Sequence, residues 1–299
     1  MRVSIGADIG GSHIVGAAVN VENGQLLSAT KVDVKINGAE DASIILEGWK
    51  NCLEQVVSLL PEGAEILGLG VAMPGPFDYE NGVALFQGVA KFDSLHGLNI
   101  KRYFRQELSF IGELPIQFLN DATCFALGEQ WQGSLKGIDR CVSITLGTGY
   151  GSAFLAEGAA VEQGESVPED GEIYKFPYLE SIAEEYVSTR FLCREFKEMS
   201  GGVEIKGGKA LVEHIEKDQR YQVIFEEFGG HIAATIGPWM KKFGAEGLLL
   251  GGALTGALDH FGPALKSRLE EQGIYAPIKT SLLLEDAALL GAASLVIEK

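Results

Sequence analysis

At 299 residues the chain is long enough for two domains, each with its own buried core. Apolar residues make up 46% and charged residues 22% of the sequence, which excludes the disordered and membrane-embedded classes. A formal net charge of −17, with the lysines and arginines scattered along the chain, argues against nucleic acid as a partner.

The N-terminal residues 1–13 lack the apolar core of a signal peptide, and no later stretch offers 18 uninterrupted apolar residues. We therefore expect a cytoplasmic protein without membrane contact. The cysteines form no C-x-x-C pair and the histidines do not cluster, so neither a disulfide framework nor a zinc site is expected.

An internal repeat opens both halves of the chain. The sequence V-S-I occupies residues 3–5 and again 142–144, each time in an apolar strand that runs into a glycine-rich reversal and then a second apolar strand. The reversals are Asp8-Ile9-Gly10-Gly11-Ser12 and Gly147-Thr148-Gly149-Tyr150-Gly151. The repeat predicts two hairpins whose tips expose backbone groups.

After the first hairpin, helical spacing of apolar residues predicts a helix over 41–60. A buried strand is expected over 65–73, ended by Pro74-Gly75-Pro76. A further strand over 116–119 runs into Asn120-Asp121 and a helix over 122–131.

The second half continues the alternation. Helices are predicted over 179–199, 209–216 and 221–243, a strand over 247–250 that turns at Gly251-Gly252, and helices from there to the end. Strands alternating with helices predict an α/β architecture with parallel or mixed sheets.

The glycine-rich reversals suit a polyphosphate, because Gly10, Gly11, Gly147 and Gly149 let backbone N–H groups approach phosphate oxygens. The hydroxyls of Ser12 and Thr148 could add hydrogen bonds, and Asp8 could hold Mg²⁺ through water. A plain hairpin turn has the same composition, so that alternative stays open.

Asn120-Asp121 also has two interpretations. Both residue types are common helix N-caps. In the functional interpretation, Asp121 accepts a proton from an attacking hydroxyl while Asn120 orients the substrate. Gly251-Gly252 likewise fits either an ordinary strand-to-helix turn or bare backbone against which an adenosine could lie.

Together the motifs resemble those of the ROK family (repressors, open reading frames and sugar kinases), within the hexokinase, Hsp70 and actin superfamily. Asp8-Ile9-Gly10-Gly11 and residues 146–151 look like its two phosphate motifs, and Leu250-Gly251-Gly252 like its adenosine motif. Pro74-Gly75-Pro76-Phe77-Asp78 is similar to its sugar loop, and Leu119-Asn120-Asp121-Ala122 to its catalytic segment. The motifs follow the family's order from end to end of the chain.

The resemblance implies an actin-like ATPase (ribonuclease H-like) fold, in which two lobes with duplicated mixed sheets and helices close over a central cleft. Residues 1–119 with a C-terminal helix over 286–299 would form the small lobe, and residues 120–285 the large lobe. It implies an ATP-dependent kinase of a hexose hydroxyl, with glucose O6 as the default, that uses Mg²⁺. A homodimer is expected by analogy alone.

The site residues follow from the same resemblance. Asp121 would be the general base and Asp8 the Mg²⁺ contact through water. The nucleotide would be bound by Asp8, Gly10, Gly11, Ser12, Gly147, Thr148, Gly149, Gly251 and Gly252. The sugar would be bound by Pro74, Gly75, Asn120, Asp121, Glu172 and Glu180.

The chain departs from the family pattern after Gly171-Glu172-Ile173. Tyr174 and Lys175 stand where most members have Gly and His, and the cysteine segment that binds a structural zinc is missing. No structural zinc is therefore expected. The alternative hypotheses are a sugar-responsive repressor, a non-catalytic sugar sensor, a kinase of N-acetylhexosamines, and a kinase that uses polyphosphate as donor.

Overall fold

The computed structural model describes residues 1–88 and 91–297. Its strands are β1 (Arg2–Gly10), β2 (His13–Asn20), β3 (Gln25–Leu26), β4 (Val32–Lys35), β5 (Glu65–Met73), β6 (Phe77–Asp78), β7 (Val83–Ala84), β8 (Ile116–Asn120), β9 (Arg140–Leu146), β10 (Tyr150–Ala156), β11 (Ala159–Ala160), β12 (Pro177–Tyr178), β13 (Ser181–Ile182), β14 (Gly247–Gly251) and β15 (Ile278–Thr280). Its helices are α1 (Ala42–Ser58), α2 (Ile100–Glu107), α3 (Asp121–Gln132), α4 (Ala183–Tyr186), α5 (Thr189–Met199), α6 (Gly207–Ile215), α7 (Gln222–Phe243), α8 (Leu258–Glu271) and α9 (Asp286–Ser294). The predicted α/β class is confirmed.

The chain divides into two compact units. The first runs from Met1 to Lys136 and resumes at Leu283, and the second spans Gly137–Leu282. This boundary differs from the one predicted between 119 and 120, because α3 packs against α9 inside the first unit. The predicted C-terminal helix over 286–299 is shorter than expected, since α9 ends at Ser294, and residues 298 and 299 of that prediction lie outside the described residues.

The first unit is built on a sheet in the order β3-β2-β1-β5-β8, with β4 also paired to β2. β1 and β2 form the predicted antiparallel hairpin, whereas β1, β5 and β8 run parallel. An apolar core that includes Trp49 of α1 and Phe104 of α2 is fully buried in this unit. The parallel strands bring their carboxyl ends, at Asp8, Met73 and Asn120, to one edge of the sheet.

Glycines fix α9 against α3 and the sheet. A Cβ added at Gly128 would meet the carbonyl oxygen of Ala287, and one added at Gly291 would meet that of Cys124. The helix backbones therefore approach more closely than any side chain would permit. This contact holds α3, and with it the Asp121 end of the helix, rigidly within the first unit.

The second unit repeats this plan with a sheet in the order β11-β10-β9-β14-β15. β9 and β10 form an antiparallel hairpin, and β9, β14 and β15 run parallel. The structure therefore bears out the internal repeat, with β9 and β14 in the places of β1 and β5. A buried core of its own, rich in phenylalanine from α5, α7 and α8, lies in this unit.

Two predicted segments were wrong in type. The helix expected over 179–199 starts only at α4, because Pro177 and Tyr178 pair with Ser181 and Ile182 in a short hairpin whose Leu179 has a positive φ of 50°. β15 lies where only helix was expected. Across the described ranges, no helix combines the length and the apolar character needed to cross a membrane.

Candidate active site

Two adjacent polar residues, Asn120 and Asp121, lie at the start of α3 and make different contacts. The Oδ1 atom of Asn120 accepts hydrogen bonds from the backbone N–H groups of Ala122, at 2.9 Å, and Thr123, at 3.3 Å. Asn120 is thus the N-cap, and Asp121 is the first helical residue. The cap accounts for Asn120, and Asp121 is the acidic residue of the first helical turn.

Asp121 itself is half-buried, and its Oδ1 accepts a hydrogen bond from the N–H of Ala122 at 2.8 Å. This bond uses one carboxylate oxygen and holds the side chain at the positive end of the helix dipole. The carboxylate lies at the carboxyl edge of the sheet, two strands from Asp8. That is the edge at which open α/β sheets bind ligands.

Asp8 is a perturbed carboxylate beside Asp121. Its pKa is raised to about 6 by burial and by the negative charge of Asp121, against a smaller lowering by His13. Burial and a like charge both disfavour its ionised form. A cation bound at Asp8 would relieve both penalties, and carboxylate oxygens are the ligands that Mg²⁺ prefers. The donor chemistry at Asp8 therefore fits the Mg²⁺ contact expected from the sequence.

The first glycine turn, residues 10–12, is held from one side by the loop that follows β4. The carbonyl oxygen of Gly11 accepts a hydrogen bond from Gly38 N at 2.9 Å, and that of Ser12 accepts one from Ile36 N at 3.0 Å. The Ser12 hydroxyl lies 3.1 Å from Nδ1 of His13. The turn is therefore a fixed feature of the first unit.

The P-G-P turn follows β5 at the same edge of the sheet. The hydroxyl of Tyr79 donates a hydrogen bond to the carbonyl of Met73, at 3.2 Å, and accepts one from the amide of Asn120, at 3.3 Å. Tyr79 also lies 3.5 Å from where a Cβ on Gly75 would be. Tyr79 thus links the start of the P-G-P turn to Asn120. Sequence reasoning missed Tyr79 because no motif marks it.

The second glycine turn, residues 147–149, is braced by the segment 184–190 of the second unit. Thr189 donates to the carbonyl of Gly147 from its backbone N–H, at 2.8 Å, and from its hydroxyl, at 2.9 Å. Arg190 donates to the carbonyl of Thr148 at 3.2 Å. With two of its carbonyl oxygens bound in this way, the turn is fixed from the α5 side.

Glu184 completes this brace. One carboxylate oxygen accepts a hydrogen bond from the N–H of Tyr150 at 3.0 Å, and the other is 2.9 Å from the Arg190 guanidinium. Arg190 also pairs with Glu185 at 3.0 Å. Sequence reasoning missed Glu184 and Arg190, because the hydrogen bond from Tyr150 to Glu184 joins residues 34 positions apart and leaves no local signature.

Gly251 and Gly252 lie next to the second glycine turn. Gly251 ends β14, whose parallel neighbour β9 ends one residue before Gly147. Gly252 has φ 84° and ψ 170°, and a Cβ there would lie 2.8 Å from the backbone nitrogen of Leu146 and closer still to its carbonyl oxygen. The two motifs predicted to bind nucleotide are therefore adjacent at the carboxyl edge of the second sheet.

The two predicted sugar carboxylates of the second unit have different surroundings. Glu172 follows Gly171, whose carbonyl accepts a 2.6 Å hydrogen bond from Ser152, and it pairs with Lys175 at 3.0 Å. Glu180 is exposed at the turn of the β12–β13 hairpin and, within the described residues, has no hydrogen bond or ion pair. Contacts therefore hold Glu172 in place, whereas none of the described contacts holds Glu180.

Among residues 1–88 and 91–297, no three His, Cys, Asp or Glu side chains converge so as to hold a metal ion. The β12–β13 hairpin is instead anchored by side-chain packing, because Tyr178 bonds to Nδ1 of His231 at 2.9 Å and stacks edge-on against Tyr186. An aromatic cluster with the half-buried imidazole of His231 thus fastens this segment to α7.

Comparison with known proteins identifies this arrangement. A family model described as the ROK family matches residues 4–299. A glucokinase of Thermotoga maritima is 27% identical over 324 residues, covering 99% of this chain and 97% of that protein. The crystal structure of a ROK hexokinase from Thermus thermophilus has a TM-score of 0.80 at 22% identity, covering 97% of this chain and 96% of that one. A ROK family glucokinase from Streptomyces griseus, solved with glucose and AMPPNP, has a TM-score of 0.71 at 24% identity, covering 98% of both chains.

The fold is the actin-like ATPase fold, as predicted. Because the family model spans nearly the whole described chain, the protein belongs to the ROK family.

Proposed function

We propose that the protein is an ATP-dependent sugar kinase that transfers the γ-phosphoryl group of ATP to a hexose hydroxyl. Membership of the ROK family and likeness to a glucokinase over the whole chain support this class of enzyme. The observation that carries the proposal lies at the start of α3. Asn120 caps the helix there, and the carboxylate of Asp121, the next residue, lies beside Asp8.

Asp121 would act as the general base. As the hexose oxygen attacks the γ-phosphorus, its proton passes to the Asp121 carboxylate, the bond to the bridging oxygen breaks and ADP leaves. A positioned base of this kind contributes roughly 10²–10⁴-fold to the rate. The Asn120 amide nitrogen, which donates one hydrogen bond to Tyr79, would orient the sugar with its second N–H.

The glycine turns would bind the nucleotide. Residues 10–12 of the first unit would present backbone N–H groups to a phosphate, as would Thr148 and Gly149 of the second, because Gly147 N is already bonded to the carbonyl of Gly149. Gly251 and Gly252, at the turn that follows β14, would lie against the adenosine. Bound Mg²⁺ would neutralise the charge that accumulates on the transferring phosphate oxygens. Asp8 would hold this ion through water, which its perturbed environment favours.

For the sugar, we propose Glu172 and Glu184 as the carboxylates of the second unit, with Glu184 in the role expected of Glu180. Glu184 is half-buried and fixed by Tyr150 and Arg190, whereas Glu180 is exposed and unattached within the described residues. Lys175 pairs with Glu172 and would limit how freely that carboxylate accepts sugar hydroxyls. Glucose, phosphorylated at O6, is the first substrate to test. The cytoplasmic location and the homodimer stay predictions.

The test is release of ADP from Mg·ATP in the presence of glucose, mannose, fructose, N-acetylglucosamine, N-acetylmannosamine and a β-glucoside, each at saturating concentration. We expect sugar-dependent turnover with at least one of them. A protein that binds a sugar by calorimetry yet releases no ADP would instead be the non-catalytic sensor, and the kinase proposal would fail.

A further inference from the structure

A lysine lies along the first glycine turn. If Gly11 carried a Cβ, that atom would be 3.0 Å from Cδ and 3.7 Å from Cβ of Lys91. The alkyl chain of Lys91 therefore packs on the bare backbone of Gly11. Its ammonium group is only two bonds beyond Cδ, which places a positive charge within reach of any anion bound at residues 10–12.

The backbone fixes Lys91 in this place. Phe92 N donates to the carbonyl of Gly38 at 2.6 Å, and Gly38 N donates to the carbonyl of Gly11 at 2.9 Å. The ring of Phe92 is fully buried, with its centroid 5.5 Å from that of Trp49. Phe92 also has a left-handed backbone, with φ 64°, which turns the chain so that its ring enters the core while Lys91 lies on the turn.

The charge of Lys91 has no partner in the part of the chain that the structure describes. Other lysines, such as Lys31, Lys175 and Lys197, have carboxylates within 4.0 Å, whereas Lys91 makes neither an ion pair nor a hydrogen bond there. It is nonetheless half-buried. A half-buried lysine without an ionic partner, in a chain with a net charge of −17, fits a site completed by an anionic ligand.

We propose that Lys91 binds the terminal phosphate of the phosphoryl donor at the first glycine turn. This inference rests on the proposed kinase function and deepens it. The carboxylates of Asp8 and Asp121 lie at this edge of the sheet, where negative charge opposes the approach of a polyphosphate, and an ammonium on Gly11 offsets that repulsion. During transfer it would also stabilise charge on the equatorial phosphate oxygens.

The test compares Lys91→Met, which keeps the alkyl packing on Gly11, with Lys91→Arg, which keeps the charge. Lys136→Met is the matched control, because Lys136 follows the far end of α3, a helix about 18 Å long that begins at Asp121. Binding of inorganic tripolyphosphate is measured by calorimetry on the full chain, and kcat/KM for ATP and KM for the sugar by ADP release.

We expect Lys91→Met to weaken tripolyphosphate binding and to lower kcat/KM for ATP, each by roughly 10- to 100-fold, with KM for the sugar unchanged. Lys91→Arg should restore most of both, and Lys136→Met should match the wild type. Equal tripolyphosphate affinity in Lys91→Met and wild type would overturn the proposal, as would an equal loss in Lys136→Met.

The two proposals fail in different ways. If the wild type turns over a sugar and Lys91→Met does so with the same kcat/KM for ATP, the role of Lys91 is wrong and the kinase stands. If no sugar supports turnover but tripolyphosphate binding depends on Lys91, the kinase is wrong and the anion site stands.

Discussion

Replacing Gly252 by alanine should damage both the stability of the second unit and its affinity for nucleotide. The backbone of Gly252, at φ 84° and ψ 170°, lies in a region that only glycine enters without strain. The new Cβ would also lie 2.8 Å from the nitrogen of Leu146 and 2.9 Å from its carbonyl carbon. These are backbone atoms of a central strand, so they cannot swing aside as a side chain would.

The magnitude follows from two costs. A residue held in such a backbone region costs about 1–3 kcal/mol, and overpacking against a rigid neighbour costs a further 1–3 kcal/mol or so. We therefore expect the free energy of unfolding to fall by about 4 kcal/mol, the middle of the combined range. Because Leu146 directly precedes the second glycine turn, any shift that relieves the clash displaces the proposed phosphate site as well.

The assay is urea unfolding followed by circular dichroism and tryptophan fluorescence, with ADP binding measured by calorimetry. Gly256→Ala is the matched control, because a Cβ at Gly256 would meet no atom within 4 Å and its φ is not positive. The control should unfold and bind ADP as the wild type does. If Gly252→Ala and Gly256→Ala have the same unfolding midpoint and the same ADP affinity, the reasoning about this turn is refuted.

Three further changes have definite expected signs. Asp8→Asn should stabilise the nucleotide-free protein by about 2–3 kcal/mol above pH 6, because the folded-state pKa of Asp8, about 6, exceeds the ordinary value of 3.8. In thermal melts this stabilisation should shrink as the pH falls and vanish below about pH 4. A stabilisation that grew on acidification would contradict the raised pKa of Asp8. Gly229→Ala should lower the free energy of unfolding, since the new Cβ would lie 2.9 Å from a backbone nitrogen of α8. Gly230→Ala, where the new Cβ meets open space, should raise the free energy of unfolding by up to about 1 kcal/mol in urea titrations. Equal shifts in the two variants would refute the close approach of α7 to α8. Glu184→Gln should raise KM for the sugar, for which Glu184 is a proposed carboxylate, and KM for ATP, because the charged contact that fixes Tyr150 N is lost. The free energy of unfolding should change by no more than about 1 kcal/mol, and unaltered kinetics would remove Glu184 from the site.

Local patterns in the sequence predicted most of the fold. β5 occupies the predicted residues 65–73, and α1 lies within the predicted 41–60, because buried strands and amphipathic helices have distinct apolar spacings. The repeat of V-S-I before each glycine turn predicted the shared plan of the two sheets. The helix expected over 179–182 was wrong, because a hairpin anchored by Tyr178 on His231 overrides the local preference for helix.

The candidate site was predicted only where a motif is continuous in sequence. Asp8 and Asn120-Asp121 follow strands directly, so a strand-end argument finds them. Glu184 and Lys91 act on glycine turns that are remote along the chain, and only the fold brings them there. Glu180 stands four residues before Glu184, and without the hairpin geometry nothing in the sequence distinguished the exposed carboxylate from the fixed one.

The measurement that tests the central proposal most directly is the turnover of Asp121→Asn with Mg·ATP and the best sugar of the panel. Asparagine keeps the oxygen that accepts the Ala122 N–H bond, so the fold, the unfolding midpoint and ADP affinity should match the wild type. We expect kcat to fall roughly 10²–10⁴-fold, as for loss of a general base. A kcat within a few fold of the wild type, in a protein that binds ADP and sugar normally, would contradict the role of Asp121.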